Sequence, residues 1–137
     1  MRTLTTALRV RFGDTDAAGI VFYPNIFAYF DVAAHELFRA CGYALGERLR
    51  SEGVAFPIVE SGARFRAPLH HDEELAVTAR VTHIGTSSFR LEYAIERDGA
   101  LAAQGFEVRV HVRIAHNHLA SAPIPADLRA ALGESRG

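Results

Sequence analysis

The chain has 137 residues, 49% apolar and 23% charged, with 15 basic and 16 acidic side chains and a formal net charge of −1. That composition excludes a disordered chain and offers no basic excess for nucleic acid or an anionic membrane surface. Cys41 is the only cysteine, so no internal disulfide can form. No apolar stretch reaches the ~18 residues of a membrane span, and Met1 to Thr6 lacks a signal-peptide core; a cytoplasmic protein without membrane insertion is expected.

Leu8, Val10 and Phe12 alternate with Arg9 and Arg11, the period of a strand with one buried face. A loop rich in turn formers follows, with Gly13, Asp14, Asp16 and Gly19. From about Asn25 to Cys41 the spacing becomes helical, since Ile26, Phe27, Phe30, Ala33, Ala34, Leu37, Phe38 and Cys41 share one wide apolar face. Pro24 suits the first turn and Gly42 the stop. Tyr43 to Glu52 continues as a second short helix or an irregular crossover.

Alternation returns after Gly53 in four further strands. The apolar faces are Val59, Ser61, Ala63 and Phe65; Leu75, Val77, Ala79 and Val81; Phe89, Leu91, Tyr93 and Ile95; and Phe106, Val108, Val110, Val112 and Ile114. In the last of these, Glu107, Arg109 and His111 are expected to point outward. Asp98-Gly99 marks a hairpin and Gly85 another tight connection. Ala126 to Leu132 forms a terminal helical turn. The order predicts one α+β domain over residues 1–137: a mainly antiparallel, curved sheet wrapped on a central helix, with a polar outer face.

Chemistry concentrates in Arg11 to Asn25, RFGDTDAAGIVFYPN, where two acids precede a helix start. Unpaired N–H groups at a helix N-terminus can stabilise a developing oxyanion. A nearby carboxylate can attack a carbonyl or activate water. Thioesters suit so spare a site because a thiolate leaves without strong acid assistance. On these residues alone, two turn-forming aspartates capping a loop are the simpler reading. His70-His71-Asp72-Glu73 and His116-Asn117-His118 lack recognised zinc-site spacing and read as surface loops, so no metal is expected. No P-loop or dinucleotide fingerprint is present.

Phe12 to Asn25 closely resembles the signature of the 4-hydroxybenzoyl-CoA thioesterase family, and Arg80 to Val112 resembles that family's sheet and that of related acyl-CoA thioesterases. The resemblance runs from about Leu8 to Leu128. It implies a hotdog fold that dimerises edge to edge and often forms a homotetramer. It implies an acyl-CoA substrate, with an aromatic acyl group among the options, and no cofactor. Asp16 matches the catalytic aspartate, acting as nucleophile or general base. Tyr23 matches the residue whose backbone N–H polarises the thioester carbonyl.

Gly19, Val21, Phe22, Pro24 and Asn25 fall in the same substrate-binding motif, and Asp14 orders the loop. Asp31 matches an acid that faces the acyl ring's hydroxyl across the subunit interface, with an interface salt bridge or a solvated dimer-edge acid as the alternative. His35, one turn on, could join it at the acyl group or be a hydrogen-bonded core or interface histidine. Phe56 matches an acyl-pocket position, with an ordinary core role equally open. The turn from His83 to Ser88 lacks the basic residues that hold the nucleotide phosphates in the 4-hydroxybenzoyl-CoA enzyme. Arg64, Arg66 and Arg90 remain for that contact or as solvated side chains. A hotdog dehydratase is disfavoured because Asp14 to Pro24 holds no histidine, and a non-catalytic acyl-binding protein is disfavoured by Asp16.

Overall fold

Strict alternation in the middle of the chain builds two long neighbouring strands. In the computed structural model, which describes residues 1–134, these are β4 (Glu74–Ile84) and β5 (Ser88–Arg97). The expected domain extends to 137, and its last three residues lie outside the described ones. Leu75, Val77, Ala79 and Val81 of β4 and Phe89, Leu91, Tyr93 and Ile95 of β5 are all buried, as the period of two requires. With β1 (Thr3–Arg9), β3 (Ile58–Phe65) and β6 (Ala100–Val110) they form an antiparallel sheet in the order β1-β4-β5-β6-β3.

The curved sheet holds helix α1 (Pro24–Ala40) against its inner face. Pro24 occupies the first turn, where its missing N–H costs no hydrogen bond. Ile26, Tyr29, Phe30, Ala33, Ala34, Leu37 and Phe38 are buried at helical spacing. The Phe30 ring stacks on Tyr93, with centroids 4.7 Å apart. Gly105 makes that approach possible, because a Cβ there would sit 2.5 Å from the Phe30 ring and 2.6 Å from the Gly62 carbonyl oxygen. Burial of a side chain the size of Phe30 contributes about 1.5–3 kcal/mol. Such contacts, more than helix propensity, fix α1 on the sheet.

The connection after α1 resolves as a short helix, α2 (Leu45–Glu52), and α3 (Ala126–Gly133) forms the expected terminal helix. Asp98 and Gly99 both take positive φ, 51° and 77°, as a two-residue hairpin turn demands. A second sheet, absent from the sequence reading, pairs β2 (Val54–Ala55), β7 (Val112–Ala115) and β8 (His118–Ser121). Its hairpin turns on His116 and Asn117, both at positive φ.

Three expectations fail. The first strand ends at Arg9; Val10 is buried, but Phe12 lies in a 3-10 turn, Phe12–Asp14, and is 77% exposed. β3 is an edge strand with no buried face within one chain, leaving Val59 and Phe65 exposed. The parity of β6 is reversed: Glu107, Arg109 and, just past its end, His111 point inward and are at most 4% exposed, whereas Phe106, Val108 and Val110 are half-buried on the other face. A bulge opposite Ile95/Glu96 leaves Ala102 and Ala103 both buried and sets the count from Ala103 onward. The outer face is therefore partly apolar, with Phe106 lying under the Arg90 guanidinium at 4.2 Å.

Candidate active site

The chain leaves β1 at Arg9, turns through Phe12–Asp14 and runs out and back as a narrow hairpin before entering α1. Thr15 and Val21 form an antiparallel bridge, and the Asp16 amide donates to the Ile20 carbonyl at 2.9 Å. Asp16 to Gly19 is a tight turn: the Gly19 N–H donates to the Asp16 carbonyl at 3.0 Å, and the Ala18 N–H donates to Asp16 Oδ1 at 2.9 Å. Gly19 takes φ +80°, a conformation that strains any residue with a Cβ. Asp16 Oδ2 has no partner among the described residues, and the side chain is exposed.

On the returning limb the Val21 N–H donates to the Leu69 carbonyl at 2.8 Å and the Phe22 N–H to the Asp14 carbonyl at 2.9 Å. Tyr23 already has helical dihedrals, φ −53° and ψ −33°, and Pro24 follows without an N–H. The Tyr23 N–H donates to nothing among the described residues. It is an open donor at the positive end of a 17-residue helix. Asp16 lies opposite Ile20, so the backbone separates it from the Tyr23 amide by roughly 10 Å at ~3.3 Å per extended residue.

Asp14 is the junction of the loop. Its carboxylate accepts from the Tyr29 hydroxyl at 2.8 Å and the Arg11 N–H at 3.2 Å, and its carbonyl accepts from Asn25 Nδ2 at 2.9 Å as well as from Phe22. Asn25 therefore spends a side-chain donor inside the protein. Val21 is buried, whereas Phe22, Tyr23 and Pro24 are exposed. The Phe22, Tyr23 and Phe65 rings form an edge-to-face row that continues onto the free edge of β3.

Asp31 and His35 form a second cluster, about 10–16 Å further along α1 from Pro24 at 1.5 Å per residue. Seven- and eleven-residue offsets place both on the exposed stripe that starts at Pro24. His35 Nδ1 lies 3.4 Å from Asp31 Oδ1, and Arg109 Nη2 donates to the same oxygen at 2.9 Å. The His35 hydrogen bond and the Arg109 guanidinium hold the Asp31 carboxyl at about 2, and the Asp31 bond raises the His35 pKa. Behind them, Arg109 Nε donates to Glu107 at 3.0 Å, Nη1 to the Phe56 carbonyl at 3.2 Å, and the Tyr93 hydroxyl to Glu107 at 2.5 Å.

Phe56 itself is 3% exposed and packs on Phe38, Phe89 and Tyr43 in the core. Its side chain lines no surface of the single chain. Arg64 and Arg66 are exposed, and Arg90 is half-buried over Phe106. The His83–Ser88 turn gains a cation from elsewhere: Arg129 of α3 donates to the Gly85 carbonyl at 2.6 Å. A groove of about 800 Å3 crosses the outer face of the sheet near Arg64, Arg80 and Arg90, away from Asp16 and Tyr23.

The structure thus brings Asp16, Gly19 and Val21 to Asn25 into one loop, and Asp31 with His35 into a separate pair. Sequence reasoning missed Tyr29, Tyr93, Glu107 and Arg109. A tyrosine at position 29, on the apolar face of the helix, was a usable signal, because a buried hydroxyl needs a partner and the preceding loop offers two acids. Nothing in the alternation of β6 betrayed the inward charges.

Comparison with known proteins agrees with this geometry. Residues 10–132 match the family described as thioesterase-like superfamily. The chain is 31% identical over 121 residues to a 1,4-dihydroxy-2-naphthoyl-CoA hydrolase of Thermosynechococcus vestitus, covering 88% of this chain and 82% of that one. It is 29% identical over 133 residues to a 4-hydroxybenzoyl-CoA thioesterase of a Pseudomonas species, covering 92% and 94%. Among solved structures, a gentisyl-coenzyme A thioesterase superposes with a TM-score of 0.86 at 36% identity, over 95% of this chain and 100% of that one. A 4-hydroxybenzoyl CoA thioesterase variant complexed with 4-hydroxybenzoyl CoA superposes at 0.89 and 27%, over 97% and 100%. Loop, helix start and wrapped sheet all agree with one assignment: the chain belongs to the thioesterase-like superfamily.

Proposed function

We propose that the protein hydrolyses an aromatic acyl-CoA to the free acid and coenzyme A, with Asp16 as the catalytic carboxylate. The observation that carries this reading is the pairing, on one hairpin, of an Asp16 oxygen and a Tyr23 N–H that are both without a partner among the described residues. The thioester carbonyl oxygen accepts from the Tyr23 amide. Asp16 either takes a proton from a water that attacks the carbonyl carbon, or attacks it directly to give an anhydride that water then cleaves. In both routes negative charge grows on the carbonyl oxygen at the helix terminus, and the C–S bond breaks to release the coenzyme A thiolate. The thiolate is a good leaving group at neutral pH, so the chemistry requires neither a metal nor a redox cofactor.

Asp16 and Tyr23 are exposed on the single chain, so water exclusion must come from a second surface. The free edge of β3, with Ile58, Val59 and Phe65 exposed, adjoins the aromatic row at Phe22 and Tyr23 and supplies that surface in a homo-oligomer. A dimer is the minimum assembly and a tetramer is its doubling. Asp31 and His35 contact the acyl group in that assembly. No helix among the described residues is long and apolar enough to cross a membrane, and the single unpaired Cys41 goes with a cytoplasmic setting.

The test is thiol release from 4-hydroxybenzoyl-CoA, gentisyl-CoA, 1,4-dihydroxy-2-naphthoyl-CoA and aliphatic acyl-CoAs of short and long chain. Turnover of at least one aromatic member, faster than of the aliphatic ones, is expected. Release from none of them despite measurable binding contradicts hydrolysis; faster release from the aliphatic members contradicts the aromatic assignment.

A further inference from the structure

The reacting loop has little packing to hold it. Phe12, Gly13 and Asp16 to Gly19 are exposed, so hydrogen bonds carry its shape. Most of them are backbone bonds within the hairpin or to the Leu69 carbonyl. Thr15 Oγ1 and the Asp16 carboxylate add bonds inside the loop, and at Asp14 two side chains of α1 reach back into it: Tyr29 Oη to the carboxylate at 2.8 Å and Asn25 Nδ2 to the carbonyl at 2.9 Å.

Asp14 stands between the two groups that perform the chemistry. Two residues along the chain is Asp16; across the 2.9 Å bond to Phe22 and one residue along is the Tyr23 N–H. A shift of Asp14 therefore changes the distance between carboxylate and amide. Tyr29 is 6% exposed, with its ring on the buried face of α1, so its hydroxyl connects a packed core to an exposed turn. Burial and the Asp14 bond push its pKa far above the usual tyrosine value, which keeps it a donor.

The geometry points to Tyr29 and Asn25 as positioning residues for thioester hydrolysis: through Asp14 they set the separation of the Asp16 carboxylate from the Tyr23 amide. This rests on the hydrolytic reading above and deepens it. Neither side chain touches the reacting atoms. Their effect falls on the transition state, where the oxyanion and the attacking oxygen must be in register together, and not on the contacts that hold coenzyme A. A misplacement of about 1 Å at a reacting centre costs on the order of 100-fold in rate.

The test uses Tyr29→Phe and Asn25→Ala, assayed on the aromatic acyl-CoA that the wild type turns over fastest, with thermal melting of each variant. Tyr43→Phe serves as the control, since it removes a comparable hydroxyl-to-carboxylate bond, 3.0 Å to Asp127, remote from the loop. The expected result is a fall in kcat of about tenfold or more in both test variants, KM within about twofold of wild type, and an unchanged kcat in the control. If Tyr29→Phe does not fold, Asn25→Ala decides, because it deletes only the bond to the Asp14 carbonyl at a half-buried site. Wild-type kcat in Asn25→Ala or in a folded Tyr29→Phe overturns the proposal. So does a change confined to KM, or an equal loss of kcat in Tyr43→Phe. Asp16→Asn in the same assay separates the two layers. If it retains turnover, the catalytic role of Asp16 fails and the brace with it; if it is inactive while both test variants run at wild-type rate, only the brace fails.

Discussion

Helix α1 carries two polar clusters, and they are built on opposite plans. At its front end, Asp14 receives a tyrosine hydroxyl, an amide side chain and two backbone N–H groups, all from within fifteen residues of sequence. In its middle, Asp31 joins His35 on the surface and Arg109 below, and Arg109 continues to Glu107 and the Phe56 carbonyl, drawing in strands remote in sequence. The front cluster has one carboxylate and holds a backbone. The middle one is charged, mostly buried, and holds side chains. Neutral donors suffice where a loop must keep its shape; charges are retained where a carboxylate must stay ionised and fixed at a half-exposed position.

The sharpest way to break this contrast is Arg109→Met. It leaves Glu107, 2% exposed, without its cationic partner and frees Asp31. We expect a loss of about 3–5 kcal/mol in a urea unfolding titration, the cost of orphaning a buried ion-pair member. Adding Glu107→Leu and Tyr93→Phe to that variant is expected to restore most of the loss, since an apolar set of similar volume leaves neither the carboxylate nor the Tyr93 hydroxyl unpaired. If Arg109→Met unfolds at the wild-type midpoint, the middle cluster bears no load.

A smaller effect sharpens the surface half of the same cluster. The folded-state pKa of Asp31 is depressed, so its contribution is present above the ordinary carboxylate range and is lost as pH falls towards about 2. The pKa of His35 is raised from 6.5, so its contribution is complete below that value and is lost as pH rises through the elevated one. Both side chains are more than a third exposed, which keeps the pair below about 1 kcal/mol through solvent screening. Urea midpoints measured from pH 6 to pH 9 are expected to drift slightly downward in the wild type, with the part due to this pair absent in His35→Ala. The same drift in both proteins would remove the pair from the stability account.

How much of this was legible in the sequence follows from the same physics. β4 and β5 were readable because both are central strands, with one face on α1 and every inward residue apolar. The Asp98-Gly99 turn was readable because its dihedrals are nearly unique to such pairs. β3 was not, since it is an edge strand with neither face buried within the single chain, and an edge strand's apolar residues say nothing about which face is covered. β6 misled because a one-residue bulge shifts the face count, and its inward residues form a polar network while its outward ones are apolar. Val112 and Ile114 continued that alternation without marking the crossing into a second sheet, and His116 to His118 read only as a surface loop. At the site, the motif placed Asp16 and Tyr23 on one loop, whereas the Tyr29 bond to Asp14 was signalled only by a hydroxyl on an apolar helix face near two acids. Phe56, read as either pocket or core, has its ring in the core and its carbonyl on Arg109.

The central claim is that one carboxylate on the hairpin before α1 performs the hydrolysis. Asp16→Asn keeps the turn, since an amide oxygen can accept the Ala18 N–H as Oδ1 does, and removes only the charge. Steady-state turnover of that variant on the best aromatic acyl-CoA, with affinity for the same thioester measured alongside, is the most direct test. The account predicts turnover reduced by about 10²–10⁴-fold with affinity and melting temperature close to wild type. Turnover at the wild-type rate in a folded Asn variant would contradict it.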